Sequence, residues 1–159
     1  MNKETVNGTV EIEIPDGFYV MSAEELRQAY QSEDPNRWGM RDKERHIIVT
    51  VMWKAYSVLP GLFLSDLKAV CKKNEHLSNK GYAGHGYRCD GFFSLSVDGQ
   101  PAEGYRFSYR VEDVEQSAET ILIRQGRTIY SVTFAGRTEN KAADQEVFSG
   151  ITAGIRYLS

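Results

Sequence analysis

Cysteine is scarce in this chain, with two among 159 residues, and histidine (three) and proline (four) are nearly as rare. Two thiols give no disulfide framework, and a chain of this length buries roughly two-thirds of its unfolded surface without a staple, so Cys71 and Cys89 are read as buried free thiols in a reducing setting. No apolar run approaches the eighteen or so residues of a membrane span, because the longest, Ile47 to Ala55, already contains Thr50 and Lys54. An excess of one charge is also missing: 19 Lys and Arg face 22 Asp and Glu, a net charge of −3, which removes the electrostatic case for nucleic acid or an anionic membrane. The first residues lack the apolar stretch and small-residue cleavage site of an export signal, so the expected compartment is the cytoplasm unless a leader has been removed. What remains, 41% hydrophobic and 26% charged residues, is the composition of one ordinary globular domain spanning residues 1–159.

The order of elements follows from periodicity. Thr9 to Ile14 alternates Val10, Ile12 and Ile14 against Glu11 and Glu13 and ends at Pro15-Asp16-Gly17, which predicts a strand and a turn. Ser22 and Glu25 form a capping box, with Met21 and Leu26 as its hydrophobic staple, predicting a helix over 23–30. Residues 31–45 are polar and irregular and read as a long loop in which Trp38 is either pinned into the core or offered to a partner. Ile47 to Ala55 reads as a strand covered on both faces. Leu64, Leu67, Val70 and Cys71 at helical spacing predict a second helix over 62–76, and the glycine- and tyrosine-rich stretch 81–91 reads as a loop, with a ragged edge strand as the alternative.

A meander follows. Phe93, Leu95 and Val97 run to Asp98-Gly99, a strong hairpin signal. Strands are then expected over 102–112, 120–125 and 127–135, with an acidic turn at 112–116 and a second hairpin around Gln125-Gly126-Arg127. Thr138 is the expected cap of a last helix carrying Ala143, Val147, Phe148 and Ile151, and Ile155 to Leu158 closes the chain as a short strand. The order predicts an α+β domain, a twisted, mainly antiparallel sheet with helices packed on it.

Chemistry is thin. Cys71, His76, His85 and Cys89 are zinc-ligand types, but intervals of four, eight and three residues fit no standard finger, and Cys71 lies on the apolar stripe of its helix. Cys89 beside Asp90 and near His85 is the best nucleophile candidate, and a neighbouring carboxylate raises a thiol pKa rather than lowering it. The glycines of 81–91 match neither a P-loop nor a dinucleotide turn. Neither an enzyme nor a cofactor is indicated. Binding has better material: Arg106 and Arg110 share one face of a strand with Tyr105 and Tyr109 opposite, and exposed arginines near aromatics are common interface anchors. Trp38, Arg106 and Arg110, backed by Tyr82 and Tyr87, are therefore the expected partner contacts. The partner is expected to be another protein, and pairing with a second copy is left open. The alternative is a small-ligand binder with a pocket between sheet and helix, under the glycine-tyrosine loop.

Three segments also carry a resemblance. Ile14-Pro15-Asp16-Gly17-Phe18 with a helix directly behind it, the stretch Gln125-Gly126-Arg127-Thr128-Ile129-Tyr130-Ser131-Val132-Thr133-Phe134, and the following helix ending in Val147-Phe148-Ser149-Gly150-Ile151 together resemble the PsbP-like fold group. That group includes photosystem PsbP, the Ran-binding Mog proteins and bacterial DcrB-like proteins. The resemblance spans nearly the whole chain. It implies the fold and a non-catalytic binding, adaptor or chaperone-like role, one version of which is the holding of apolar segments of secreted effectors by DcrB-like adaptors.

Overall fold

In the computed structural model, which describes residues 2–30, 34–56 and 67–158, two-residue turns organise the second half of the chain. Strands β6 (Arg88–Val97) and β7 (Gln100–Val111) are joined by Asp98-Gly99, and β7 and β8 (Val114–Gln125) by Glu112-Asp113. Both residues of each turn are left-handed, with φ of 48° and 79° and of 48° and 67°, the geometry whose twist matches that of the strands it connects. Gly126-Arg127 then leads into β9 (Thr128–Arg137), with Gly126 at φ 62°.

The first half supplies β1 (Asn2–Val6), β2 (Val10–Ile14), β3 (Tyr19–Val20), α1 (Ala23–Tyr30), β4 (Arg37–Asp42), β5 (Ile47–Ala55) and α2 (Leu67–Gly81), and the chain ends with α3 (Lys141–Ala153) and β10 (Arg156–Tyr157). Seven strands form one sheet in the order β3-β4-β5-β9-β8-β7-β6, and β1-β2-β10 form a second, with every pairing antiparallel. The α+β class is therefore as expected, but the N-terminal and C-terminal strands pair in a small sheet of their own.

The two faces of the large sheet are unlike. On one, Val49, Val51, Ile121, Ile123, Val132 and Phe134 meet Val6, Val10, Ile12 and Ile14 of the small sheet and Phe148 and Ile151 of α3, forming the main core. Phe134 and Phe148 stack with ring centroids 5.1 Å apart. On the other, Tyr105, Phe107, Ala118, Leu122 and Ile129 form a second cluster with Cys71 of α2. Tyr105 is fully buried there, and its hydroxyl meets Asn74 Nδ2 at 2.8 Å and Ser78 Oγ at 2.7 Å. Those bonds hold down the polar second half of α2, which has no apolar stripe to do so.

Several expectations require correction. The segment 31–45 is not all loop: β4 pairs with β5, setting Trp38 opposite Val51, while residues 31–33 lie outside the described residues. Its alternation is masked by Gly39, where a Cβ would come within 2.8 Å of Leu26 Cδ2 and 3.2 Å of Met21 Sδ; α1 presses onto the strand at that point. The capping box itself forms, with Ser22 and Glu25 exchanging bonds of 3.2 Å. The second helix runs on to Gly81, beyond the expected end at 76, because Asn74 and Ser78 bond inward; residues 62–66 of its expected start fall outside the described residues. Within 81–91 the chain turns as far as Tyr87 and then enters β6, an edge strand with a bulge between Cys89 and Gly91, so the ragged edge strand of the expectation is the part that holds. The acidic turn narrows to Glu112-Asp113, and Thr138 opens a 3₁₀ turn (Thr138–Asn140) in which its hydroxyl meets Ser117 Oγ at 2.8 Å instead of capping α3. Strand β1 was not expected, although Asn7-Gly8 marks its turn, because four of its five residues are exposed and carry no alternation.

Two buried carboxylates lie between α3 and the sheet: Glu119 and Asp144, 5% and 4% exposed. Burial raises the pKa of both, opposed for Glu119 by a hydrogen bond with Gln145 and by Arg106, and for Asp144 by Arg45. A carboxylate whose folded pKa is raised contributes stability that is fully present below its unfolded value, about 4, and is lost as pH rises through the folded value. Asp144→Asn is therefore expected to flatten the fall in stability from pH 4 to 7 and to raise stability at pH 7 by about 1 kcal/mol, read from urea unfolding midpoints across that range. Tyr105→Phe, by leaving the half-buried Asn74 and Ser78 groups without the hydroxyl, is expected to cost about 1 kcal/mol in the same assay and to raise amide exchange in α2 before the rest of the fold.

Candidate functional site

The residues singled out by sequence divide between the two faces of the large sheet. Trp38 is part-buried against the main core, its indole Nε1 enclosed without an acceptor among the described residues. Arg106 lies exposed on the same face, its guanidinium 4.2 Å from the centroid of Phe93 and its Nε 3.6 Å from Oε1 of Glu119, the residue directly across on β8. Arg110, also exposed, donates from Nη1 to the carbonyl of Asp113 at 3.4 Å, while its backbone N–H donates to His85 at 2.7 Å. Tyr82 and Tyr87 sit on the opposite face, in a run of aromatic contacts. Tyr82 stacks on Tyr109 with centroids 4.2 Å apart and lies parallel to Tyr87 at 6.2 Å, and the Tyr87 hydroxyl donates to Glu75 at 2.8 Å. Burial is the main cause that raises both phenol pKa values.

That tyrosine face carries a concavity. Helices α1 and α2 cover its two ends and leave a cleft of about 830 Å³ between them. The floor is Ile48, Thr133, Ala135 and Gln116, and one wall is Tyr82, Tyr109 and Val111. The opposite wall is the Glu25, Gln28 and Ala29 side of α1, and Arg41, Lys43 and His46 complete the rim. The cleft exists because β9 alternates unequally: Val132 and Phe134 point to the main core, whereas Ser131, Thr133 and Ala135 are too small and polar to draw a third helix down. The signals in the sequence are that run of small residues on one face of a strand whose other face is large and apolar, and the glycine-tyrosine stretch under which a pocket is the alternative expectation.

The charges of the cleft are unequally engaged. The Glu25 carboxylate accepts from the Ser22 N–H at 3.2 Å and the Tyr19 hydroxyl at 2.9 Å, and these bonds, the Ser22 one foremost, hold its pKa below the usual carboxylate value. Lys43 stands 5.8 Å over the Tyr19 ring. Arg41 has its Nε buried with no acceptor among the described residues.

The thiols are placed against nucleophilic use. Burial foremost, with Glu103 next, pushes Cys71 up to about 12, and burial is also the main cause that raises Cys89. Among the described residues no three His, Cys, Asp or Glu groups converge to hold a metal, and no helix is long and apolar enough to cross a membrane. In the native protein at pH 7.5, iodoacetamide is expected to label half-buried Cys89 slowly and Cys71 not measurably, both reacting at ordinary thiol rates in 8 M urea (about the concentration at which most small domains are unfolded). Peptide mass mapping reads the outcome.

No protein-family model and no curated protein matches the sequence. Solved structures do. Cyanobacterial PsbP (CyanoP) from Synechocystis sp. PCC 6803 superposes with a TM-score of 0.72 at 13% identity over 99% of this chain and 92% of that one. The Saccharomyces cerevisiae Ran-binding protein Mog1p gives 0.59 at 9% identity over 98% and 95%. LpqN, involved in cell envelope biogenesis of Mycobacterium tuberculosis, gives 0.55 at 13% identity over 94% and 83%.

Proposed function

We propose that this chain, which has the PsbP-like fold, is a non-catalytic module that binds another protein, and that its partner docks in the cleft between α1 and α2. The observation that carries the reading is the cleft itself: a concavity with a sheet floor, walled on one side by stacked tyrosines that present large rigid surfaces at little entropic cost. Use of the same fold by a Ran-binding protein supports a protein as the occupant. Tyr82 contributes directly to the wall, and Tyr87 supports it from behind. Arg106 and Arg110, both exposed on β7, are a separate candidate surface on the other face; Trp38, part-buried four strands away on β4, is not brought together with them.

A second reading has its own support. The cleft volume falls within the roughly 300–1,000 Å³ typical of small-molecule sites, which favours a ligand held beside the tyrosines.

Affinity capture from lysate of the source organism, with wild type, Ala29→Trp and the Arg106→Glu, Arg110→Glu pair side by side, distinguishes the surfaces. Ala29 is exposed on α1 and lines the cleft, so a tryptophan there fills the concavity without touching the core. A stoichiometric protein lost from Ala29→Trp and kept by the arginine pair is the expected result. Loss from the arginine pair alone moves the docking surface to the other face. Capture of nothing, with a metabolite raising the thermal midpoint of wild type and not of Ala29→Trp, replaces the protein partner with a small ligand.

A further inference from the structure

We infer that Arg41 is the anchoring residue of the cleft and that the segment it receives is an extended, acidic stretch of a partner protein with an apolar side chain beside its carboxylate. This rests on the docking reading above. Arg41 lies on β4 between Tyr19 of β3 and Ile48 of β5, on the face of the sheet that forms the cleft. Arg41 as a whole is half-buried and lines the cleft, and its Nε is buried without an acceptor among the described residues, a state that costs free energy and is relieved by a carboxylate oxygen that reaches it.

Among the described residues, the two carboxylates nearest in the fold are already engaged elsewhere. Glu25, the acid of the cleft wall, is engaged by Ser22 and Tyr19. Asp42, next along the strand, points to the opposite face, where its Oδ1 accepts from the Glu44 and Arg45 N–H groups at 3.0 and 3.2 Å and its Oδ2 pairs with Arg45 at 3.2 Å. Lys43 and His46 stand exposed on the same rim as Arg41. In a chain of net charge −3 the cleft is thus a local positive site whose charge complement is an anion. A guanidinium recognises a carboxylate through two parallel N–H donors, which a lysine does not reproduce. The Tyr82 and Tyr109 wall specifies the remainder, an aromatic or aliphatic side chain adjacent to the acid.

The test uses the labelled full chain on an array of random nonapeptides. Wild type is expected to select peptides with Asp or Glu next to an apolar residue. Exchange of the acid for its amide in a selected peptide should weaken binding at least tenfold. Arg41→Gln should erase that preference, and Arg41→Lys should retain only part of it. The side-chain Nε–H resonance of Arg41 should move downfield in nitrogen-15 spectra when the acidic peptide is added and not when its amide is. Unchanged thermal midpoints establish that both variants are folded; should Arg41→Gln fail to fold, Arg41→Lys and the resonance decide. Peptides bound without acid preference and lost in Ala29→Trp would leave the docking reading intact and overturn the role of Arg41. An acid preference that survives Arg41→Gln overturns it as well. Absence of peptide binding, or binding unaffected by Ala29→Trp, overturns the docking reading instead.

Discussion

The hydroxyl of Tyr105 holds the second layer of this molecule together. Helix α2 begins with Leu67, Val70 and Cys71 packed among the aromatic side chains of β7, but by its middle the inward residues are Asn74 and Ser78, which hydrophobic burial alone would not keep against a sheet. A tyrosine whose ring is fully buried and whose oxygen reaches both of them converts that polar stretch into a fixed contact. Because α2 is held to its last turn, Tyr82, whose N–H closes on the Ser78 carbonyl at 2.9 Å, is fixed over Tyr109. The wall of the cleft is thus a consequence of one satisfied hydroxyl several residues away.

The same logic of buried hydroxyls recurs across the sheet. Tyr130, fully buried on the other face, reaches the β1–β2 turn, where its oxygen meets Thr9 Oγ1 and the side-chain amide of Asn7 at 3.1 Å. Two tyrosines thereby tie the most polar peripheral pieces, the first hairpin and the end of α2, to opposite faces of one sheet. The faces differ in what lies between those ties. The main-core face is filled by large aliphatic residues and closed by α3 and the small sheet, whereas on the tyrosine face the described residues leave a cleft. A domain folded around one filled face is free to leave the other concave, since its stability comes chiefly from the filled one.

What was legible in the sequence follows from where the signal resides. Strands such as β2, β5 and β9 bury one side of an alternating pattern, and α1 carries its own capping box, so both could be read locally. β4 was hidden because its cleft-facing and helix-facing positions are Arg41 and Gly39, a charged residue and a space for Leu26, neither of which looks like a core residue. β1 was hidden because it is an edge strand held mainly by backbone bonds. The tyrosines of 82 and 87 were found because aromatic residues among glycines stand out, yet their neighbour across the cleft lies some forty residues earlier, in a segment read as loop (a distance in sequence that only non-local strand pairing closes).

The arginines show why composition along a strand is an incomplete guide to a binding surface. Arg106 is exposed and flanked by aromatics, the features that draw attention in a sequence, but Glu119 stands opposite it and Phe93 lies beneath its guanidinium, so an incoming partner must compete with contacts the arginine already makes. Arg41 is less exposed and has no aromatic beside it in sequence, and its Nε has no acceptor among the described residues. Affinity depends on the difference between the contacts a group makes in the complex and those it gives up. By that measure a partly buried cation with an unanswered donor gains more from a carboxylate than a surface cation already paired. The placement of Arg41 at the rim of the cleft on the tyrosine face, opposite a wall fixed by Tyr105 through α2, therefore joins the fold's main structural constraint to the charge that a partner would meet.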